Sequence, residues 1–392
     1  MPERPEAERT GVGDRPARAR PWPERPVSAA NKSGNDHAAD ADSGTCTRAL
    51  EAHGFTRPFR VALVSGVMVQ LACMVMPEGP VEAVVRAAAA AEDLGCGRVW
   101  IPDEGLAARE CWVTLGAVAA ATSSVEVGTG ITNAYTRHPG MTAAAVATLD
   151  EASGGRAALG IGAGGALTLT ALAIERRAPV TAMRELVATS RALWSGEVVD
   201  RDGVAGGFRH ARLHFGRPDI PIWVAGRGPR VMRLAGEVAD GFIMSFVHKE
   251  LIGEHVAAIR STADEFGRSH PRLCYMTILA TTEAARQAAR ASLTFRLVDS
   301  PETVKARIGL DPATEAAIRR GLADGGPAAA AHLVRDDWVD AFVISGTVQE
   351  CRAELNALVT AHGIDEFQVS VNDLHSAFDD LSLAAEIVGG PR

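Results

Sequence analysis

The chain has 392 residues, of which 47% are hydrophobic, 22% charged and 5% aromatic, enough apolar material for one large α/β domain. Its net charge of −8 is spread over interspersed acids and bases with no basic stripe, which argues against nucleic acid as a partner. The six cysteines form no CxxC pair and no Cys/His cluster with metal spacing, so no metal site is expected, and scattered thiols fit a reducing, cytoplasmic setting.

Residues 1–57 read as a disordered tail. They hold six prolines, dense Arg/Glu alternation and almost no aliphatic periodicity, too little apolar surface to offset ordering entropy. No basic-then-apolar signal pattern opens the chain. The sixteen-residue run 61–76 (VALVSGVMVQLACMVM) is interrupted by Ser65, Gly66 and Gln70. A span needs roughly 20 apolar residues, so this run is expected to be a buried strand followed by an apolar pocket loop, not a membrane segment.

From residue 58 onward, short apolar runs alternate with Ala-rich helical stretches. Strands are expected at 59–65, 98–102, 125–131, 156–162, 220–225, 241–245, 273–280 and 366–371. Helices are expected at 81–94, 111–121, 141–152, 181–194, 228–237, 249–266, 282–291 and 348–362. Eight strands, each paired with a helix, predict a TIM-type (β/α)8 barrel over residues 58–392. A doubly wound open sheet is disfavoured because no GxGxxG opens a helix after the first strand. Two segments exceed the minimal barrel. Residues 196–216 suit a small hairpin, and residues 293–346 a helical insertion that shapes the mouth or a subunit contact.

Barrels bind ligands at the C-terminal ends of their strands. After the second strand come Asp103 and Glu104, of which one is expected to face the pocket, since neighbours on an extended segment point opposite ways. The third strand leads through Gly130 and Ile131 to His138, which either caps the next helix or touches a ligand. The Gly-rich turns 160–165 and 225–229 offer exposed backbone N–H groups to a phosphate. Arg156, at the far end of its strand, is expected to form a structural ion pair with Asp150 or Glu151.

The run TNAYTRHPGMTAAAVATLDEASGGRAALGIGAGG (132–165) closely resembles the bacterial luciferase-like superfamily, in the branch that uses the deazaflavin coenzyme F-420, typified by methylenetetrahydromethanopterin reductase. WVAGRGPRVMRLAGEVADGFI (223–243) resembles a second block and GRVWIPDEG (97–105) a weaker third. The resemblance implies a TIM-type barrel, often a homodimer or higher homo-oligomer, with F-420 or FMN at its mouth. It places a non-prolyl cis peptide at Gly130–Ile131 behind the ring. Phosphate contacts fall at Gly162, Ala163 and Gly164 and at Ala225, Arg227 and Gly228, and the strand-two acid at Asp103. Glu104 stands where relatives often have histidine, which makes it the expected acid/base group, with His138 beside it. Gly165 stands where some F-420 dehydrogenases carry glutamate. The implied activity is hydride transfer between F-420 and a small organic substrate. The alternatives are an FMN-dependent monooxygenase and a non-catalytic cofactor-binding barrel.

Overall fold

The protein was analysed as a computed structural model that describes residues 69–389. Eight parallel strands close into a barrel: β1 (Gln70–Val75), β2 (Arg98–Ile101), β3 (Glu126–Thr129), β4 (Ala157–Ile161), β5 (Ile222–Ala225), β6 (Gly241–Ser245), β7 (Arg272–Met276) and β8 (Glu366–Val371). Each strand pairs with its sequence neighbours, and β8 closes on β1 in the register Gln70–Glu366 through Val75–Val371. Helices α1 (Val81–Asp93), α2 (Cys111–Ala121), α3 (Pro139–Ser153), α4 (Pro179–Trp194), α5 (Pro229–Val238), α6 (Ile252–Glu265), α7 (Val348–His362) and α8 (Ala377–Gly389) surround it.

Seven of the eight expected strands lie where the sequence placed them. The first does not. The barrel's first strand is Gln70–Val75, inside the stretch expected to be a pocket loop. The run 59–65, like the expected tail 1–57, lies outside the described residues. Strands buried on both faces read as continuous apolar runs, so periodicity could not place one strand within sixteen apolar positions. Residues 196–216 do form a hairpin, Val199–Arg201 against Phe208–Ala211. The expected helix 282–291 is Glu283–Val298, which runs into the insertion, and the insertion itself carries helices Glu302–Arg307, Pro312–Ala330 and Asp336–Phe342.

Register determines which side chains fill the barrel. Arg98 pairs with Glu126, and Trp100 with Gly128 and Met74. Arg98 reaches the side chains of Glu366 on β8 and Glu126 on β3, so the Arg98/Trp100 face of β2 points inward. The indoles of Trp100 and Trp223 meet edge to face at 5.8 Å. Small residues make room for them: a Cβ on Gly130 would sit 2.4 Å from Trp100, and one on Gly241 2.3 Å from Trp223. Large and small side chains alternate because a close-packed interior tolerates neither overlap nor voids.

The floor of the barrel is ionic. Arg98 donates from Nη1 to both carboxylate oxygens of Glu366 at 2.8 Å and from Nε to Glu126 at 2.9 Å. Arg272 reaches Glu366 at 2.8 Å. Arg98 is 2% exposed and Glu366 0%. The Arg98 guanidinium also lies 4.3 Å above the Trp223 ring. Burial opposes its charge, but the two carboxylates outweigh burial and hold it more firmly protonated than usual.

Arg156 corrects an expectation. It makes no ion pair with Asp150 or Glu151. Asp150 takes Arg217 at 2.9 Å, while Arg156 donates to the carbonyls of Ala119, Thr122, Val125 and Ser153. The terminal carbonyls of α2 have no partner within the helix and carry the negative end of its dipole, so they compete well for a cation.

Candidate active site

The mouth is organised by a break at the end of β3. Thr129 keeps the pairing with β4 through its hydroxyl, which donates to the Gly160 carbonyl at 2.8 Å and accepts from the Gly160 N–H at 3.0 Å. The Gly130–Ile131 peptide that follows is cis, as expected. Pairing then resumes, with the Thr132 N–H on the Gly160 carbonyl and the Gly162 N–H on the Thr132 carbonyl. This step brings Thr132 to Asp103, whose carboxylate accepts from its hydroxyl at 2.6 Å. Asp103, Ile131 and Thr132 therefore form one unit at the ends of β2 and β3. Thr132 was missed by sequence reading.

The glycines of the β4 turn have separate reasons. A Cβ on Gly162 would lie 2.1 Å from Ile131 Cδ1, so Gly162 makes room for Ile131. Gly164 has φ +83°, a conformation that favours glycine. Its carbonyl accepts from Arg176 at 2.9 Å, which puts an exposed guanidinium beside the turn. Ala163 is half-buried between these glycines. Across the mouth, Ala225 ends β5 with its side chain buried. Gly228 precedes α5, and a Cβ there would meet nothing within 4 Å, so its surroundings leave the N-terminal turn of α5 open to a ligand.

Glu104 and His138 are differently situated. The Glu104 carboxyl is half-buried, does not cap the short helical turn Gly105–Ala107, and makes no side-chain hydrogen bond among the described residues. Burial first, then the Asp103 and Glu78 carboxylates, raise it above the usual carboxylate range. His138 instead ties structure together. Its Nδ1 accepts from the Gly140 N–H at 3.2 Å as the cap of α3, and Nε2 lies 3.1 Å from the Gly207 carbonyl of the hairpin. An Nδ1 that accepts leaves the proton on Nε2, so both nitrogens are engaged.

Two further polar atoms line the interior. Ser370 follows Glu366 and Gln368 on the inward face of β8, and its Oγ is buried without a hydrogen-bond partner among the described residues. The indole Nε1 of Trp100 is likewise unpartnered. Buried polar groups are rarely left so, and each such group asks for an explanation. Ser370 was legible: EFQVSV alternates polar and apolar, where a strand buried on both faces should be apolar throughout. Among the described residues, no helix is long and apolar enough to cross a membrane.

The family described as luciferase-like monooxygenase matches residues 64–366. The chain belongs to that family. Among the relatives similar to this luciferase-like chain is the 5,10-methylenetetrahydromethanopterin reductase of Methanolobus tindarius, 35% identical over 291 residues that cover 72% of this chain and 89% of the reductase. An F-420-dependent glucose-6-phosphate dehydrogenase of Beutenbergia cavernae is 41% identical over a shorter block of 135 residues, 33% of this chain and 40% of the dehydrogenase. Among solved structures, the coenzyme F-420-dependent tetrahydromethanopterin reductase of Methanopyrus kandleri superposes with a TM-score of 0.73 at 27% identity, covering 82% of this chain and 98% of that one. The resemblance read from residues 132–165 thus extends over the luciferase-like barrel as a whole.

Proposed function

We propose that this protein is an F-420-dependent oxidoreductase acting on a small organic substrate. The observation that carries the reading is the 35% identity to a reductase over 89% of that reductase's length. The mouth fits such a cofactor on its own terms. The turn at Gly228 is open where an anionic group would approach the helix N-terminus, and Ser370 Oγ, unpartnered among the described residues, offers a polar contact at the C-terminal end of β8. When bound, the deazaflavin supplies the hydride chemistry, and the chain supplies binding, orientation and proton management.

In this reading Asp103, fixed by Thr132, orients the ring side of the site. Gly162, Ala163 and Gly164 after β4, with Ala225 at the end of β5 and Arg227 and Gly228 after it, face the phosphate side. Glu104 holds or accepts the substrate proton, for which a raised carboxyl is suited near neutral pH. His138 serves as an anchor, because both ring nitrogens already have partners. The protein is proposed to assemble as a homo-oligomer, on the strength of the exposed Leu106, Val113 and Met141 near the mouth. Titrating the purified protein with F-420 and, separately, with FMN, followed by difference absorbance, tests the reading. Saturable binding of F-420 is expected. Binding of FMN alone would favour the oxygen-activating chemistry of other luciferase-like proteins, and binding of neither would overturn a flavin-type function.

A further inference from the structure

We propose that Arg227 and Arg296 form an anion clamp at the rim of the mouth that takes a phosphate-class oxyanion of a bound small molecule. Arg227 follows β5, and Arg296 is carried by the helix Glu283–Val298 of the insertion. The two meet directly: Arg227 Nη1 donates to the Arg296 carbonyl at 3.0 Å. Neither guanidinium forms an ion pair among the described residues. The field of Asp299 reaches Arg227, but no carboxylate oxygen comes within bonding distance. The Arg296 guanidinium instead lies 3.6 Å from the Phe246 centroid and 4.5 Å from that of Phe295, and its Nη1 donates to the Ser292 carbonyl.

Two adjacent half-buried cations without a paired carboxylate carry a desolvation cost. Burial, and then the neighbouring Arg227, push Arg296 down to about 9. It is still charged at neutral pH, so positive charge accumulates there uncompensated. Elsewhere the same chain pairs its buried arginine fully, as Arg98 shows. A third polar group lies on the Arg227 side. His255 on α6 lines the cleft with Arg227 and Phe246, and its Nδ1 is buried without a partner. Guanidinium forks match the oxygen geometry of phosphate, and aromatic stacking holds them in place.

The clamp extends the phosphate-side role proposed for Arg227, but the test does not depend on that role. Inorganic pyrophosphate is the probe, with wild type, Arg296→Met and Arg296→Lys followed by calorimetry and melting temperature. Wild type should bind pyrophosphate saturably and melt higher with it. Arg296→Met should lose at least tenfold in affinity, with Arg296→Lys intermediate. Without the anion, Arg296→Met should melt no lower than wild type, because it relieves an uncompensated charge. A purely structural role in stacking predicts the opposite. Equal pyrophosphate binding in wild type and Arg296→Met, or none in either, would overturn the clamp. Adding F-420 assigns the source of the oxyanion. Competition with pyrophosphate assigns the clamp to the cofactor's phosphate, and simultaneous binding assigns it to the substrate. Failure of F-420 to bind while pyrophosphate still depends on Arg296 would remove the proposed function and leave the clamp standing.

Discussion

The two ends of this barrel treat polar groups in opposite ways. At the floor, Arg98, Glu126, Arg272 and Glu366 answer one another with hydrogen bonds near 2.8 Å, and Trp223 covers the central guanidinium. At the mouth, Ser370 Oγ is buried without a partner among the described residues, the Glu104 carboxyl is raised by burial and by its acidic neighbours, and Gly228 has open space around its Cα. The same eight strands run through both ends, so the difference lies in the inward residues. A satisfied network stiffens the end that has only to stay closed. An unsatisfied one marks the end where a second molecule completes the contacts. This division matches the general rule that (β/α)8 barrels keep stability at the N-terminal face and chemistry at the C-terminal face.

The contrast breaks first at the floor. Glu366→Ala leaves Arg98 buried with half its partners gone, so it should cost about 3–5 kcal/mol of stability, read as a lower midpoint in urea unfolding. Its cofactor affinity, measured under conditions where the variant is folded, should stay near wild type. Retained stability with lost cofactor binding would show that the floor reaches into the site.

At the mouth the expected effects reverse. Gly228→Leu should weaken cofactor binding by about tenfold or more, because the side chain enters the approach to a helix N-terminus. Its melting temperature should barely change, since none of the described residues stands within 4 Å of the new Cβ. Gly164 is the poorer probe because its φ of +83° would strain any substitute.

Glu104→Gln should lower turnover at least roughly tenfold while leaving cofactor affinity close to wild type. It also carries a pH signature. The fold raises the Glu104 carboxyl above its unfolded value, so the group favours folding fully below the unfolded value. That contribution is lost as pH rises through the raised folded value. The variant should therefore gain in stability relative to wild type as pH rises from the unfolded value through the raised folded one, and a pH-independent difference would show that Glu104 is solvated.

The smallest effect is expected from deleting residues 1–57. Their composition cannot build a core, so melting temperature and cofactor affinity should be nearly unchanged. A fall of several degrees would make that segment part of the fold.

Much of this contrast was visible in the sequence, unevenly. The alternation of apolar runs and Ala-rich helices announced the barrel. Each of the four floor charges opens a strand, Arg98 on β2, Glu126 on β3, Arg272 on β7 and Glu366 on β8, a pattern readable beforehand. The alternation in EFQVSV likewise pointed to Ser370. The glycine turns stood out, but the reason for Gly162 did not, because its neighbour Ile131 comes from another strand. Arg296 was hidden for a related reason. It lies in an insertion without a local motif, and only the fold brings it to Arg227.

The contact between Ile131 and Gly162 also limits how this barrel can drift. A Cβ at 162 would fall 2.1 Å from Ile131 Cδ1, so alanine there requires the end of the Ile131 side chain to swing aside or residue 131 to shorten. An alanine at 131, in turn, opens a gap that a larger residue at 162 would fill. The two positions should therefore change as a pair across a lineage, with each single exchange less fit than either matched combination. A side chain at the mouth would in this way be inherited jointly with a glycine whose own role is to be small.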